Sequence, residues 1–227
     1  MGAGNNNFEG VLLTMAALLM GCSIHAAYGN PLETDKSWCV ANPAAYKRPL
    51  QAALDIVCHL NPHSCKPLQP DKSCYEPNNL AAHASLAFNS LWQALRRANS
   101  SAPCDFGGLA LIAVSDPGYS SDCPYAYPLS EERPAGDKMW CVAKPSADPT
   151  KLQESLDDVC GAHPNSCEAI QRPNQRCFFP NTVAAHASYA FNTHYQTPGQ
   201  EPEKLCEWRN TAFYTITDPS YGRCDYV

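Results

Sequence analysis

The chain has no excess of positive charge, no apolar run long enough to cross a bilayer and no recognisable catalytic motif, and each absence removes a class of function. Lysine and arginine total 16 against 22 aspartates and glutamates, a net charge of −6. Gripping nucleic acid takes a basic stripe that displaces counterions from phosphate, and an anionic membrane surface makes the same demand, so neither partner is expected. The N-terminal apolar stretch, Val11 to Met20, is well short of the roughly 20 residues a bilayer requires. After Cys224 come only Asp225, Tyr226 and Val227, which leaves no apolar tail to exchange for a lipid, so no stable membrane anchor is expected. Nucleophile elbows, phosphate loops and zincin signatures are missing.

Cysteine, by contrast, is abundant and ordered. Twelve of the 13 form two sets of six. Cys39, Cys58, Cys65, Cys74, Cys104 and Cys123 are 19, 7, 9, 30 and 19 positions apart; Cys141, Cys160, Cys167, Cys177, Cys206 and Cys224 are 19, 7, 10, 29 and 18 apart. Other residues repeat in the same register: WCVANP from Trp38 and WCVAKP from Trp140, LDIVC ending at Cys58 and LDDVC at Cys160, AAHASLAFN ending at Asn89 and AAHASYAFN at Asn192, SDPGY ending at Tyr119 and TDPSY at Tyr221. The chain is two copies of one small module, residues 38–123 and 139–224. At that size an apolar core alone is marginal and three disulfides per copy are a large share of stability.

Six disulfides persist only in an oxidising compartment. Residues 1–29 read as a cleaved signal peptide, a short apolar run followed by the small residues Ala26, Ala27 and Gly29, although no basic residue precedes the run. Cleavage removes Cys22 and Glu9, leaving an even cysteine count and 21 acidic against 16 basic side chains. A secreted, extracellular monomer is expected. Asn99-Ser100-Ser101 is a glycosylation acceptor at Asn99.

Apolar spacing predicts a helix from Pro49 to Cys58 through Leu50, Leu54 and Val57, repeated from Pro149 to Cys160 through Leu152, Leu156 and Val159. A second helix is predicted from Asn79 to Arg97 and from Thr182 to Gln196, after the turn-forming Pro77-Asn78 and Pro180-Asn181. Leu109 to Ser115 and Ala212 to Thr217 read as strands ended by Asp-Pro, with each WCV segment available to pair. The fold class is α+β, mostly helical: two disulfide-rich modules, each with a small antiparallel sheet packed on helices. Residues 124–138, with three prolines and no apolar period, read as an exposed linker.

Hydrolysis of a glycosidic bond most often takes two carboxylates roughly 5 to 9.5 Å apart. The acidic positions shared by both copies are Asp55 with Asp157, Asp105 with Glu207 and Asp116 with Asp218, and helix or turn roles account for them better than catalysis. No catalytic residue, metal or cofactor is therefore assigned. Of the histidines only His83 and His186 are equivalent, and a loop hydrogen bond suits them better than zinc. Aromatic rings beside amides are what both copies hold in quantity, and that pairing fits a sugar, whose C–H face stacks on a ring while its hydroxyls bond amides. The candidate ligand contacts are Tyr75, Asn89, Trp92, Gln93, Phe106 and Tyr119 in the first copy and Phe179, Asn192, Tyr195, Gln196, Trp208 and Tyr221 in the second. Trp38, Trp140, Phe88 and Phe191 read as core.

WCV, the LDxVC helix end, PN followed by HASxAFN and a glutamine, CDFGG at Cys104 to Gly108 and the DPxYxxC ending together resemble carbohydrate-binding module family 43, a plant six-cysteine module of some β-1,3-glucanases and of plasmodesmal callose-binding proteins. The resemblance covers nearly all of the chain after residue 29. It implies a non-catalytic module that binds β-1,3-glucan in the cell wall. Its plant setting argues against reading Leu19-Met20-Gly21-Cys22 as a bacterial lipobox. It also implies disulfides from first to fifth, second to third and fourth to sixth cysteine, one of 15 pairings that spacing leaves open in each copy. Those are Cys39 to Cys104, Cys58 to Cys65, Cys74 to Cys123, Cys141 to Cys206, Cys160 to Cys167 and Cys177 to Cys224. The second copy departs at CEWRN, Cys206 to Asn210, where the loss of both glycines suggests a different turn and Trp208 and Arg209 a new contact. A disulfide scaffold for protein interaction or defence is the alternative, and a glucan endo-1,3-β-glucosidase the less favoured one.

Overall fold

The computed structural model describes residues 36–118, 123, 138–197, 206 and 208–227. The signal-peptide reading, nearly all of the linker, Tyr119 and Glu207 lie outside the described residues. The first copy begins with β1 (Trp38–Ala41), followed by α1 (Lys47–Leu60), a short α2 (Pro62–Cys65), α3 (Leu80–Ala98) and β2 (Ala110–Ala113). The second repeats the order with β3 (Trp140–Ala143), α4 (Pro149–Ala162), a 3₁₀ turn (Pro164–Ile170), α5 (Val183–Tyr195) and β4 (Ala212–Thr215). These elements match the predicted ones to within a few residues at each end. The short helical segments after α1 and α4 are additions that the apolar spacing did not indicate.

Three helices open on a side-chain cap. Asn79 accepts the Ala82 N–H at 2.8 Å to open α3, and Thr182 does the same for Ala185 at 3.2 Å to open α5. Asp148 accepts the N–H groups of Thr150 and Lys151 before Pro149 begins α4, whereas Tyr46 at the matching place before α1 makes no side-chain cap. Leu50, Leu54 and Val57 form the buried face of α1, and Leu152, Leu156 and Val159 that of α4.

β1 pairs antiparallel with β2, from Trp38 opposite Ala113 to Ala41 opposite Ala110, and β3 pairs with β4 from Trp140 opposite Thr215 to Ala143 opposite Ala212. The two ribbons then join. β2 pairs antiparallel with β4, giving one four-stranded sheet in the order β1-β2-β4-β3. Val114 N–H donates to Tyr214 O at 3.0 Å and Ile216 N–H to Ile112 O at 3.2 Å across that seam. The six disulfides are Cys39–Cys104, Cys58–Cys65, Cys74–Cys123, Cys141–Cys206, Cys160–Cys167 and Cys177–Cys224.

Trp208-Arg209-Asn210 keeps the backbone course of Phe106-Gly107-Gly108. Phe106, Gly107 and Gly108 have φ of 48°, 71° and 78°, and Trp208, Arg209 and Asn210 follow with 35°, 55° and 64°. A left-handed run without glycine is disfavoured. Here it is held from outside: Lys144 Nζ donates to Asn210 Oδ1 at 2.5 Å, and Arg209 bonds Asp158 at 2.7 Å with Glu154 at 3.5 Å. The expected difference in the turn is thus one of contacts rather than of backbone course.

Candidate functional site

The HASxAFN motif and the glutamine after it seal an exposed sheet edge. Ser85, Asn89 and Gln93 are spaced four apart, so they form one stripe along α3, and that stripe meets β1. Ser85 Oγ accepts the Ala41 N–H at 2.9 Å, Asn89 Oδ1 accepts the Cys39 N–H at 3.0 Å, and Gln93 Nε2 donates to Ser37 O at 3.0 Å. Ser188, Asn192 and Gln196 repeat this with Ala143, Cys141 and Met139 at 3.0, 3.2 and 2.9 Å. A free edge exposes unpaired backbone donors and acceptors; here side chains stand in for the missing strand. Asn89, Gln93 and Asn192 are about 1% exposed, and Gln196 is half-buried with its amide engaged. The first three therefore cannot reach a bound sugar, which corrects their expected role.

Trp92 is corrected on the same ground. It is buried, its Nε1–H donates to Ala102 O at 2.8 Å, and the Arg96 guanidinium lies over the ring at 4.5 Å. Phe106 stacks on the buried Phe88 with centroids 4.2 Å apart, and Trp208 on Phe191 at 5.3 Å, each pair within 8° of parallel. Both outer rings of these stacks remain partly exposed. Tyr75 is half-buried and its hydroxyl accepts from Asn78 Nδ2 at 2.7 Å, while Tyr195 sits edge-on to Tyr214 at 5.6 Å. His83 and His186 bond the carbonyls of Tyr75 and Phe178 at 2.8 and 2.7 Å, the loop role their position suggested.

The shared carboxylates among the described residues are occupied locally. Asp55 and Asp157 accept from Gln51 and Gln153, Asp105 from the Gly107 and Gly108 N–H groups, and Asp116 and Asp218 from Gly118 and Ser220 N–H. Among the described residues no three His, Cys, Asp or Glu side chains group to hold a metal ion, and no helix is long and apolar enough to cross a membrane.

Among the described residues, the two most exposed aromatic side chains, Tyr46 and Phe179, line one hollow between the copies. This hollow of about 310 Å³ is bounded by the Asn42–Tyr46 loop and Gly108 of the first copy and by Gln175, Phe179 and the Tyr221–Arg223 turn of the second. Tyr46 is 55% and Phe179 53% exposed, and each comes from a different copy. Arg176 and Arg223 also line it, Arg176 facing the Asp225 carboxylate at 3.5 Å, and none of the lining residues is acidic. The Tyr221 hydroxyl is buried without a hydrogen-bond partner, and its pKa is pushed up to about 12 by burial, with the nearby Tyr46 and Tyr189 hydroxyls adding to the effect. Phe179 and Tyr221 were candidate contacts from the sequence. Tyr46 was not, because the second copy has Asp148 in its place and only shared positions drew notice.

Residues 37–111 and 139–213 each match the X8 domain. The major pollen allergen Ole e 10 of Olea europaea is 41% identical over 100 residues, 44% of this chain and 80% of the allergen. Glucan endo-1,3-beta-glucosidase 12 of Arabidopsis thaliana is 46% identical over 90 residues, 40% of this chain and 16% of that protein. A glucan endo-1,3-beta-glucosidase of Triticum aestivum is 42% identical over 93 residues, 41% of this chain and 19% of that protein. The chain thus spans less than a fifth of those two glucosidases. No solved structure matches it.

Proposed function

The chain belongs to the X8 domain family, which it represents twice, and on that premise we propose that it binds β-1,3-glucan without cleaving it. The pair of X8 matches carries this reading. The region shared with proteins named as glucan endo-1,3-beta-glucosidases is a small fraction of each, whereas a match of similar length makes up 80% of a pollen allergen. A module that recurs in both settings is suited to holding the polymer rather than to hydrolysing it. The local hydrogen bonds that engage every described shared carboxylate support the same reading.

The binding units are residues 38–123 and 139–224, joined through 124–138. The rings that keep exposed surface, Tyr75, Phe106, Phe179, Tyr195, Trp208 and Tyr221, are the contacts for sugar faces. A neutral ligand also agrees with a chain that has no basic excess. Six disulfides suit a secreted wall protein, and callose, the β-1,3-glucan of plasmodesmata, is the polymer the family resemblance points to. Asn99, exposed at the C-terminal end of α3, is the place for an N-linked glycan.

Adsorption of the full chain to insoluble β-1,3-glucan, with reducing-sugar release from laminarin measured beside it, tests the proposal. Retention without release is expected. Absence of retention overturns the binding reading in favour of a protein-interaction scaffold, and sugar release overturns the non-catalytic one.

A further inference from the structure

We propose that the hollow between the two copies is a glucan-binding site built jointly by them, present in neither copy alone, and occupied by a short segment of β-1,3-glucan chain. This rests on the glucan-binding reading for the class of ligand. The site itself follows from how the two copies meet.

Ala113 of β2 faces Thr215 of β4, and these are the same position in the two copies. A strand that pairs antiparallel with its own counterpart creates a local two-fold axis. Related surfaces then flank the seam, one where the first copy's Asn42–Tyr46 loop meets the second copy's Tyr221–Arg223 turn, the other where Lys144–Asp148 meets Asp116–Gly118; residues 119–121, the counterparts of Tyr221–Arg223, lie outside the described residues. Among the described residues, side chains of the second copy bridge the second surface. Ser146 Oγ donates to the carbonyls of Pro117 and Gly118. The Lys144 side chain lies so close to Gly118 that a Cβ there would be 3.3 Å from Nζ, and Nζ itself bonds Asn210 Oδ1.

On the first surface the matching residues are Asn42, Ala44 and Gly108. Asn42 is shorter than lysine and spends its Oδ1 on the Ala44 N–H at 2.9 Å. Ala44 has no hydroxyl to reach the facing turn, and Gly108 has no side chain to bond. The space left over is the 310 Å³ hollow, within the size range of sites that bury a small ligand.

Its walls suit a neutral sugar. Tyr46 and Phe179 contribute exposed rings to its lining from opposite copies. A pyranose offers C–H faces that stack on such rings and hydroxyls that accept from guanidinium or amide N–H groups, which Gln175, Arg176 and Arg223 supply at the rim. The Asp225 carboxylate beside Arg176 offsets one of the two positive charges, so the site does not call for an anionic polymer.

The test uses the full chain in three forms. Y46A/F179A removes both exposed rings. N42K/A44S/G108N copies the closed surface onto the open one, with substitutions that the other half of the molecule already accommodates. Calorimetric titration with soluble laminari-oligosaccharide is read beside adsorption to insoluble β-1,3-glucan, with thermal melting as the control for folding. About tenfold weaker oligosaccharide binding by both variants, at an unchanged melting temperature, is the expected result. Should Y46A/F179A melt early, the transplanted variant decides. Wild-type strength in the transplanted variant overturns the shared site while glucan binding stands. A wild-type chain that takes up neither ligand removes the glucan reading itself. Preferential, variant-sensitive binding of polygalacturonate over the glucan also overturns the assignment, because the site is then one for acidic sugars.

Discussion

Ala113 lies opposite Thr215, its own counterpart in the second copy, and the hydrogen bonds on either side obey the same exchange. Val114 N–H to Tyr214 O is mirrored by Ile216 N–H to Ile112 O, and Ser115 Oγ accepting from Tyr214 N–H at 3.0 Å is mirrored by Thr217 Oγ1 accepting from Ile112 N–H at 2.9 Å. The duplicated chain has folded as an isologous dimer would, with the two subunits in one covalent strand. Within the strand seam the Thr215 hydroxyl, which donates to Ile112 O at 2.8 Å, has no mirror, because alanine stands at 113.

That seam couples the stability of the two halves. The variant S115A/T217A removes both side-chain acceptors and leaves two strand N–H groups without partners, at a cost of about 1–3 kcal/mol each. The expected calorimetric outcome is a lower melting temperature and a single transition broadened or split into two. A melt identical to wild type would show that the seam contributes nothing to cooperativity.

The helix-to-edge hydrogen bonds predict a separation of folding from binding. N89A orphans the buried Cys39 N–H and N192A the Cys141 N–H, each costing about 1–3 kcal/mol. W92A empties a core position and strands the Ala102 carbonyl, costing about 3–5 kcal/mol. Chemical denaturation measures these losses. Below each variant's transition, adsorption to β-1,3-glucan should stay at the wild-type level, since none of the three side chains is accessible. Loss of adsorption by a fully folded W92A would return Trp92 to the binding surface.

Much of this architecture was legible because it is local or duplicated. Leu50, Leu54 and Val57 announce α1 by their spacing, and the cysteine register delimits the copies. The role of Ser85, Asn89 and Gln93 was misread, although a clue was present: polar residues at four-residue intervals share a helix face beside Ala82 and Phe88, where a buried backbone partner is the natural explanation. The seam was beyond reach, since nothing in ALIA or AFYT says that the free edge of one ribbon meets the other. The hollow was missed for the opposite reason. A search for repeated residues passes over Tyr46 and Ala44, whose importance lies in differing from Asp148 and Ser146.

High pH should loosen the second copy. An ordinary tyrosine ionises near pH 10, whereas Tyr221 holds its proton to about 12 because the buried site disfavours the phenolate, and burial pushes Tyr226 upward as well. Between those values the unfolded chain has released a proton that the native state retains. The stabilisation is therefore complete below about pH 10 and falls as pH rises toward 12. Y221F should remain stable further into that window. It should also be neutral or slightly stabilising at pH 7, since the hydroxyl it deletes has no partner. Urea midpoints measured against pH for the two proteins check both statements; parallel curves would exclude Tyr221 as the source.

The disulfides should contribute unequally, in an order set by the chain length each encloses. Cys39–Cys104 and Cys141–Cys206 join residues 65 apart, whereas Cys58–Cys65 and Cys160–Cys167 join residues 7 apart. Closing the longer loop removes more freedom from the unfolded chain, worth about 4 kcal/mol against about 2 kcal/mol for the shorter one. The long bridge also fixes β1 to the segment leading into β2, so its loss loosens the ribbon that carries both Ala113 and the Asn42–Tyr46 loop. C39S/C104S is accordingly expected to melt well below C58S/C65S and to weaken glucan retention, while C58S/C65S lowers stability alone. Equal losses in the two variants would indicate that strain or unfolded-state structure, rather than loop closure, governs these bridges.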